Sequence, residues 1–218
     1  MKKDLTELVF ILDMSGSMSH LTDDTIGGFN SVVKEHNDGQ GEVMVTTYLF
    51  NNESKMIHDR LPIANVAPMT ENDYSARGCT ALLDAIGEAI EHIVGIHRYA
   101  REEDIPEHTI FVITTDGMEN ASHKFSADHI RDKIKHEQEK YGWEFIFLAA
   151  NIDALETAEA YGIDRSRAVN YHADSEGTEQ VYEAVNCATR VVRERRSLAE
   201  DISWRKNIDS DFEKRKKK

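Results

Sequence analysis

An apolar run that stops on a carboxylate, and then recurs a hundred residues later, most constrains this fold. Leu8 to Leu12 is an unbroken apolar stretch between polar flanks, too short for a helix, and Asp13 follows it. Such a run reads as a strand buried on both faces. His108 to Thr115 has the same character and ends on Asp116, with Gly117 for the turn. Strands covered on both sides belong to parallel sheets flanked by helices, where ligands bind beyond the carboxyl ends. Both aspartates, and the hydroxyls of Ser15 and Ser17, therefore belong on one binding edge.

The rest of the chain supplies the cover. Thr22 to Asp24 caps a helix with Ile26, Phe29, Val32 and Val33 on one face, ended by Asn37-Asp38-Gly39. Glu42 to Phe50 and Ser54 to Leu61, joined at Asn51-Asn52, read as a hairpin, which puts one antiparallel strand at a sheet edge. Thr70 to Ser75 reads as a surface loop. Arg77-Gly78-Cys79-Thr80 opens a long helix carrying Leu82, Leu83, Ile86, Ile90, Ile93 and Val94 on one stripe. A charged amphipathic helix over Ser126 to Tyr141 follows, then a buried strand over Trp143 to Ala150. A short helix over Asp153 to Tyr161, a short strand over Val169 to His172 and a final helix over Ser175 to Arg195 complete the pattern. Alternating strands and helices after one hairpin give an α/β fold. The expectation is a Rossmann-like doubly wound, mainly parallel six-stranded sheet with one antiparallel edge strand and helices on both faces.

Bulk properties exclude several function classes. The net charge of −14 on 218 residues opposes a nucleic-acid backbone as principal partner. The basic Lys214 to Lys218 is a local exception and reads as a solvated tail. No apolar run reaches the ~18 residues of a membrane span, and the N-terminal run is too short for a signal segment. The two cysteines, Cys79 and Cys187, form no metal or redox spacing and read as reduced thiols, with Cys79 a small packing residue. The ten histidines include no HExxH, and His92 and His97 do not share a helical face.

Asp13, Ser15, Ser17, Thr80 and Asp116 form a set of oxygen donors drawn from two strand ends and one helix start. Carboxylate and hydroxyl oxygens suit hard divalent cations and suit zinc poorly. The plain alternative is a pair of strand-end carboxylates capping neighbouring helices. A serine nucleophile needs an oriented base; His20 is near in sequence, but Ser15-Gly16-Ser17 lacks the GxSxG elbow.

Asp13-Met14-Ser15-Gly16-Ser17, then Thr80 in GCTALLDAI, then Asp116 in ITTDGMEN, resembles the metal-ion-dependent adhesion site (MIDAS) of von Willebrand factor type A domains. The likeness runs from about Leu8 to Arg195 and fills all five motif positions. It implies a single such domain over residues 1–200, with 201–218 as a charged, flexible tail. It further implies metal ligation by Asp13, Ser15, Ser17, Thr80 and Asp116, with Mg²⁺ as the ion and Mn²⁺ or Ca²⁺ as substitutes. An Asp or Glu of a protein partner would complete the shell. The rim of that site would include Met14, Gly16, Met18, Arg77, Gly78, Glu119, Asn151 and Asp153.

The expected function is a divalent-metal-dependent protein-binding module, not an enzyme. The sequence suits a stand-alone bacterial or phage-type member in the cytoplasm, without nucleic-acid partner or membrane span. A metal-dependent phosphatase is the alternative, but the second aspartate that haloacid-dehalogenase-like phosphatases require is Ser15 here. A metal that only stabilises the fold is the third reading. The last helix, by the same resemblance, would shift when ligand binds.

Overall fold

The first strand, β1, runs over Lys2–Asp13 and sends Leu8, Phe10 and Leu12 to one side of the sheet and Val9 and Ile11 to the other. That alternation is why the run is apolar without a break: a strand has period two, and here both faces are covered. All five side chains are fully buried, each worth ~1.5–3 kcal/mol by the usual transfer scale. This is a computed structural model that describes residues 1–37 and 41–216.

The remaining elements are α1 (Thr22–Asn37), β2 (Glu42–Phe50), β3 (Ser54–Pro62), α2 (Leu82–Tyr99), β4 (Pro106–Thr115) and α3 (Ala127–Tyr141). They continue with β5 (Glu144–Ala149), α4 (Ala154–Ala160), β6 (Ala168–Asn170), α5 (Ser175–Arg193) and α6 (Lys206–Arg215). The strand order is β3-β2-β1-β4-β5-β6. Every neighbouring pair is parallel except β2 with β3, the antiparallel hairpin at one edge. The six-stranded, mainly parallel sheet expected from the sequence is the one observed.

The order places a topological switch between β1 and β4. From β1 the chain winds outward through β2 and β3; it then returns across the sheet to β4 and winds the other way. Loops leaving β1 and β4 consequently diverge to opposite faces and open a crevice at their carboxyl ends. Helices α1 and α5 cover one face, together with Trp204 and Ile208; α2, α3 and α4 cover the other.

Several elements differ from expectation. Residues 201–216, read as a flexible tail, contain a 3-10 turn over Ile202–Arg205 and α6, and Trp204 and Ile208 are buried. The apolar residues at 204 and 208, one helical turn apart, give the segment a face to bury despite its charge. The turn expected at Asn37 to Gly39 extends beyond the described residues, as do Lys217 and Lys218 of the basic run. The loop over Thr70 to Ser75 is not wholly superficial, since Tyr74 is buried in the core. Cys79, expected to pack, is exposed, because the loop holding it turns outward at Gly78, whose φ is +80°.

Candidate functional site

Asp13 ends β1 and is fully buried. Its Oδ1 accepts the Ser15 backbone N–H at 2.7 Å, which folds the following loop back over the strand end. Its Oδ2 accepts the Thr115 hydroxyl at 2.6 Å, tying β1 to the end of β4. Burial pushes the Asp13 carboxyl up, against the bonds from Thr115 and Ser15, and the charge of Asp116 adds to the rise.

The loop after Asp13 continues into a 3-10 turn over Gly16–Leu21. Ser15 Oγ and Ser17 Oγ lie 3.2 Å apart. Ser17 Oγ donates to Asp116 Oδ1 at 2.5 Å, so the serine loop and the second aspartate meet. Thr80 joins them: a Cβ built on Gly117 would stand 3.8 Å from both Ser17 Oγ and Thr80 Oγ1. Thr80 itself is clamped, its N–H donating to Asn120 Oδ1 at 2.9 Å and its C=O accepting the Asn120 N–H at 3.0 Å. All five residues that the sequence singled out converge at the crevice between β1 and β4.

The supporting frame combines backbone bonds of expected rim residues with two tyrosines that the sequence does not mark. Gly16 N–H donates to Gly78 O at 3.0 Å and Arg77 N–H to Met14 O at 2.8 Å, so the serine loop and the threonine loop are clipped together. The Tyr74 hydroxyl donates a short bond to Asp13 O, and the Tyr171 hydroxyl donates to Thr115 O at 3.2 Å. Burial, first among the causes, raises both phenols far above their ordinary range, keeping them donors at any working pH. A lone aromatic in a polar loop has no periodicity to betray it; only Thr115, beside Asp116 in the same strand, carried a signal.

The expected rim separates into three groups. Gly16, Arg77 and Gly78 are exposed around the crevice, and Asn151 donates its Nδ2–H to Asp116 O at 3.1 Å from a left-handed backbone position, φ 58°. Met14 and Met18 point the other way and are buried in the core on the α1 and α5 side; their flexible side chains fill space beneath the loop. Glu119 and Asp153 are spent on local structure. Glu119 accepts the N–H groups of Leu83, Ala121 and Ser122, and Asp153 caps α4 through Leu155 and Glu156. Met118, which the sequence reading passed over, is the exposed apolar residue beside the crevice, at 72%.

His20 does not serve the serines as a base. Its Nδ1 faces Ser17 O at 2.8 Å and its Nε2 faces Ala173 O at 3.0 Å. Two carbonyl acceptors are both satisfied only when both ring nitrogens carry protons, and the bond to Ala173 heads the causes that raise the His20 pKa.

The donor set fits a hard cation. Asp116 Oδ2 is buried and has no hydrogen-bond partner among the described residues. An unpaired buried carboxylate oxygen is costly, and a cation beside it removes that cost. Among the described residues no group of three or more His, Cys, Asp or Glu side chains is arranged to hold a metal. This crevice offers two carboxylates and takes its remaining donors from hydroxyls.

No protein-family model matches the chain, and no curated protein matches it. Solved structures do. The minor pilin PilB of Streptococcus sanguinis, as a D319A mutant, superposes with a TM-score of 0.56 at 10% identity, over 89% of this chain and 62% of the pilin. Proximal thread matrix protein 1 of the mussel byssus, with a zinc-occupied MIDAS motif, gives 0.61 at 13% identity, over 86% of this chain and 48% of that one. Manganese-loaded TRAP protein of Plasmodium vivax gives 0.57 at 13% identity, over 85% and 75%. The chain thus spans about three-fifths of the pilin and about half of the byssal protein. What is shared at this identity is the fold, in proteins named as pilin, thread matrix and TRAP, none of them named as an enzyme.

Those same structures correct the cytoplasmic placement expected from the N-terminal sequence. The fold is shared with a minor pilin and a mussel byssus thread protein, so it gives no ground for the cytoplasmic placement. The Leu8 to Leu12 run is part of β1, as expected, and its shortness says nothing about export. No helix among the described residues is long and apolar enough to cross a membrane.

Proposed function

We propose that the chain is a von Willebrand factor type A domain whose crevice is a MIDAS. In this reading Ser15, Ser17 and Thr80 supply hydroxyl oxygens, Asp13 and Asp116 supply carboxylates, and Mg²⁺ or a similar hard cation is held among them. The domain takes in residues 1–200, with 201–216 as an extension packed on its α5 side. The observation that carries the reading is Asp116 Oδ2, buried and without a hydrogen-bond partner among the described residues, in a cluster whose donors converge from three separate loops.

The function that follows is capture of a protein partner. The metal, when bound, supplies an electrophilic position for an incoming carboxylate. The chain's own residues orient that encounter: Ser17, Gly16, Gly78 and Arg77 are exposed at the mouth. With only about two negative charges near it, the ion keeps affinity for an Asp or Glu side chain. An acidic body does not draw acidic partners from a distance, so the partner's surface around its one carboxylate is basic. The chemistry is binding, with the serine hydroxyls turned to the cation and the His20 ring turned to carbonyls.

The test is retention of a partner on immobilised protein with Mg²⁺, its release by chelator, and its loss on Thr80→Ala. Metal-dependent retention that the variant abolishes supports the reading. A partner retained equally with chelator, or equally by Thr80→Ala, contradicts it.

A further inference from the structure

At the other end of the sheet, where β4 begins and β5 is entered, α2 and α3 splay apart over a cavity of about 640 Å³. Its walls include Trp143, His97, Tyr141, Val94 and Pro106, and Glu137 shares the same space. Glu137 is only 6% exposed, and its Oε2 has no hydrogen-bond partner among the described residues. Nothing in the crevice between β1 and β4 uses this group.

The charged side chains around it are engaged elsewhere, and Met1 also contributes to the lining. Lys140 Nζ lies over the Tyr141 ring at 4.9 Å, and Lys133 pairs with Glu91 at 2.9 Å. Glu107 is held by Arg195 at 2.7 Å, and the Arg98 guanidinium sits 5.9 Å from the centre of the Tyr99 ring. The His97 Nε2 is fixed on the buried Glu7 at 3.0 Å, which leaves the His97 ring as a wall. Trp143 is fixed too, stacked on Phe111 with centroids 5.3 Å apart and set edge-on to His97 at 5.4 Å. The aromatic wall is therefore preformed, and the Glu137 Oε2 beside it has no hydrogen-bond partner among the described residues. Burial pushes the Glu137 carboxyl up, partly countered by the charges of His136, Lys140, Lys133 and His97.

With Glu107 paired to Arg195, Glu137 is the lining's carboxylate without an ion-pair partner among the described residues, in a wall that mixes charged, aromatic and aliphatic side chains. One such carboxylate suits an organic cation better than a metal ion, which needs several oxygens at once. The volume falls within the ~300–1,000 Å³ of small-ligand sites. We propose that this cavity binds a small organic ammonium compound, its charged nitrogen on the Glu137 carboxylate and its apolar body against Trp143, Val94 and Pro106.

The probes are benzylammonium, phenethylammonium and tyramine, titrated calorimetrically into the full chain, with 2-phenylethanol as the neutral counterpart of phenethylammonium. At least one amine is expected to saturate, with the alcohol about tenfold weaker or more. Glu137→Gln is expected to lose the same factor while melting no lower than wild type, since an unpaired buried carboxylate is removed. Val94→Phe, which fills the cavity and leaves the carboxylate, is expected to block binding independently. No saturation by any of the amines, equal binding of the alcohol, or unchanged amine affinity in folded Glu137→Gln or Val94→Phe would overturn the proposal.

Discussion

Ser17 donates its hydroxyl to Asp116 at 2.5 Å across a sequence separation of 99 residues, and this one bond closes the crevice between the switch-point strands. Were a cation held there, both residues would face it, so stability in chelator and metal affinity report the loss of Ser17 separately.

Ser17→Ala is therefore expected to weaken Mg²⁺ binding by about tenfold or more, as loss of a ligand or its oriented neighbour does. Ser17 is exposed but its hydroxyl partners the buried Asp116 Oδ1, so stability in chelator should fall too, by roughly 1–3 kcal/mol. Calorimetry and thermal melts on one preparation check both halves.

Tyr74→Phe removes the hydroxyl that donates to Asp13 O while keeping the buried ring. A buried carbonyl loses its partner, which costs roughly 1–3 kcal/mol. The urea midpoint should fall with unchanged slope, and metal affinity should fall with it, because Asp13 is no longer held from its backbone side.

Gly28 lies on α1 where the Tyr182 ring of α5 presses against it, and an added Cβ would come within 1.9 Å of that ring. Gly28→Ala ordinarily gains helix propensity; here it forces α5 outward and should cost about 1–3 kcal/mol net. A raised urea midpoint in that variant would mean that α1 and α5 are not packed as described.

Burial, then the charges of Arg193 and Arg190, depress the His36 pKa from 6.5 to about 4. Between those values the unfolded chain takes up a proton that the folded chain does not. Stability is complete above the unfolded value and is lost as pH falls through the window, by roughly 3 kcal/mol once the folded value is reached. Urea midpoints at about pH 7.5 and about pH 5 should differ more for wild type than for His36→Gln; equal differences would contradict the assignment.

Much of the sheet was legible because strands buried on both faces leave unbroken apolar runs, as Leu8 to Leu12 and Ile110 to Ile113 do. The ends of those strands were legible for the same reason: a carboxylate directly after such a run has nowhere to lie but the sheet edge. Residues that act singly were not. Tyr74 and Tyr171 steady the site from within polar stretches. Glu7, fully buried, is reconciled with the core only by Arg60 at 2.8 Å and His97 at 3.0 Å, partners from β3 and α2. Met14 and Met18 flank the serines in sequence but are buried in the core, Met14 directly after β1 and Met18 within the 3-10 turn over Gly16–Leu21. Asp153 reads from sequence as a rim residue or a cap of the next helix, and it is the cap; Glu119 looks like a rim carboxylate, and its bond from the Leu83 N–H depends on a backbone that only the fold brings near.

The central claim is that the cluster at the β1–β4 switch point holds a divalent cation. The most direct measurement is calorimetric titration of Mg²⁺ and Mn²⁺ into chelator-treated protein, beside Asp13→Ala and Asp116→Asn. The expected result is one ion per chain for wild type, with binding lost in Asp13→Ala and weakened in Asp116→Asn, each variant still folded by circular dichroism. No heat of binding in wild type, or undiminished binding in both variants, would contradict it.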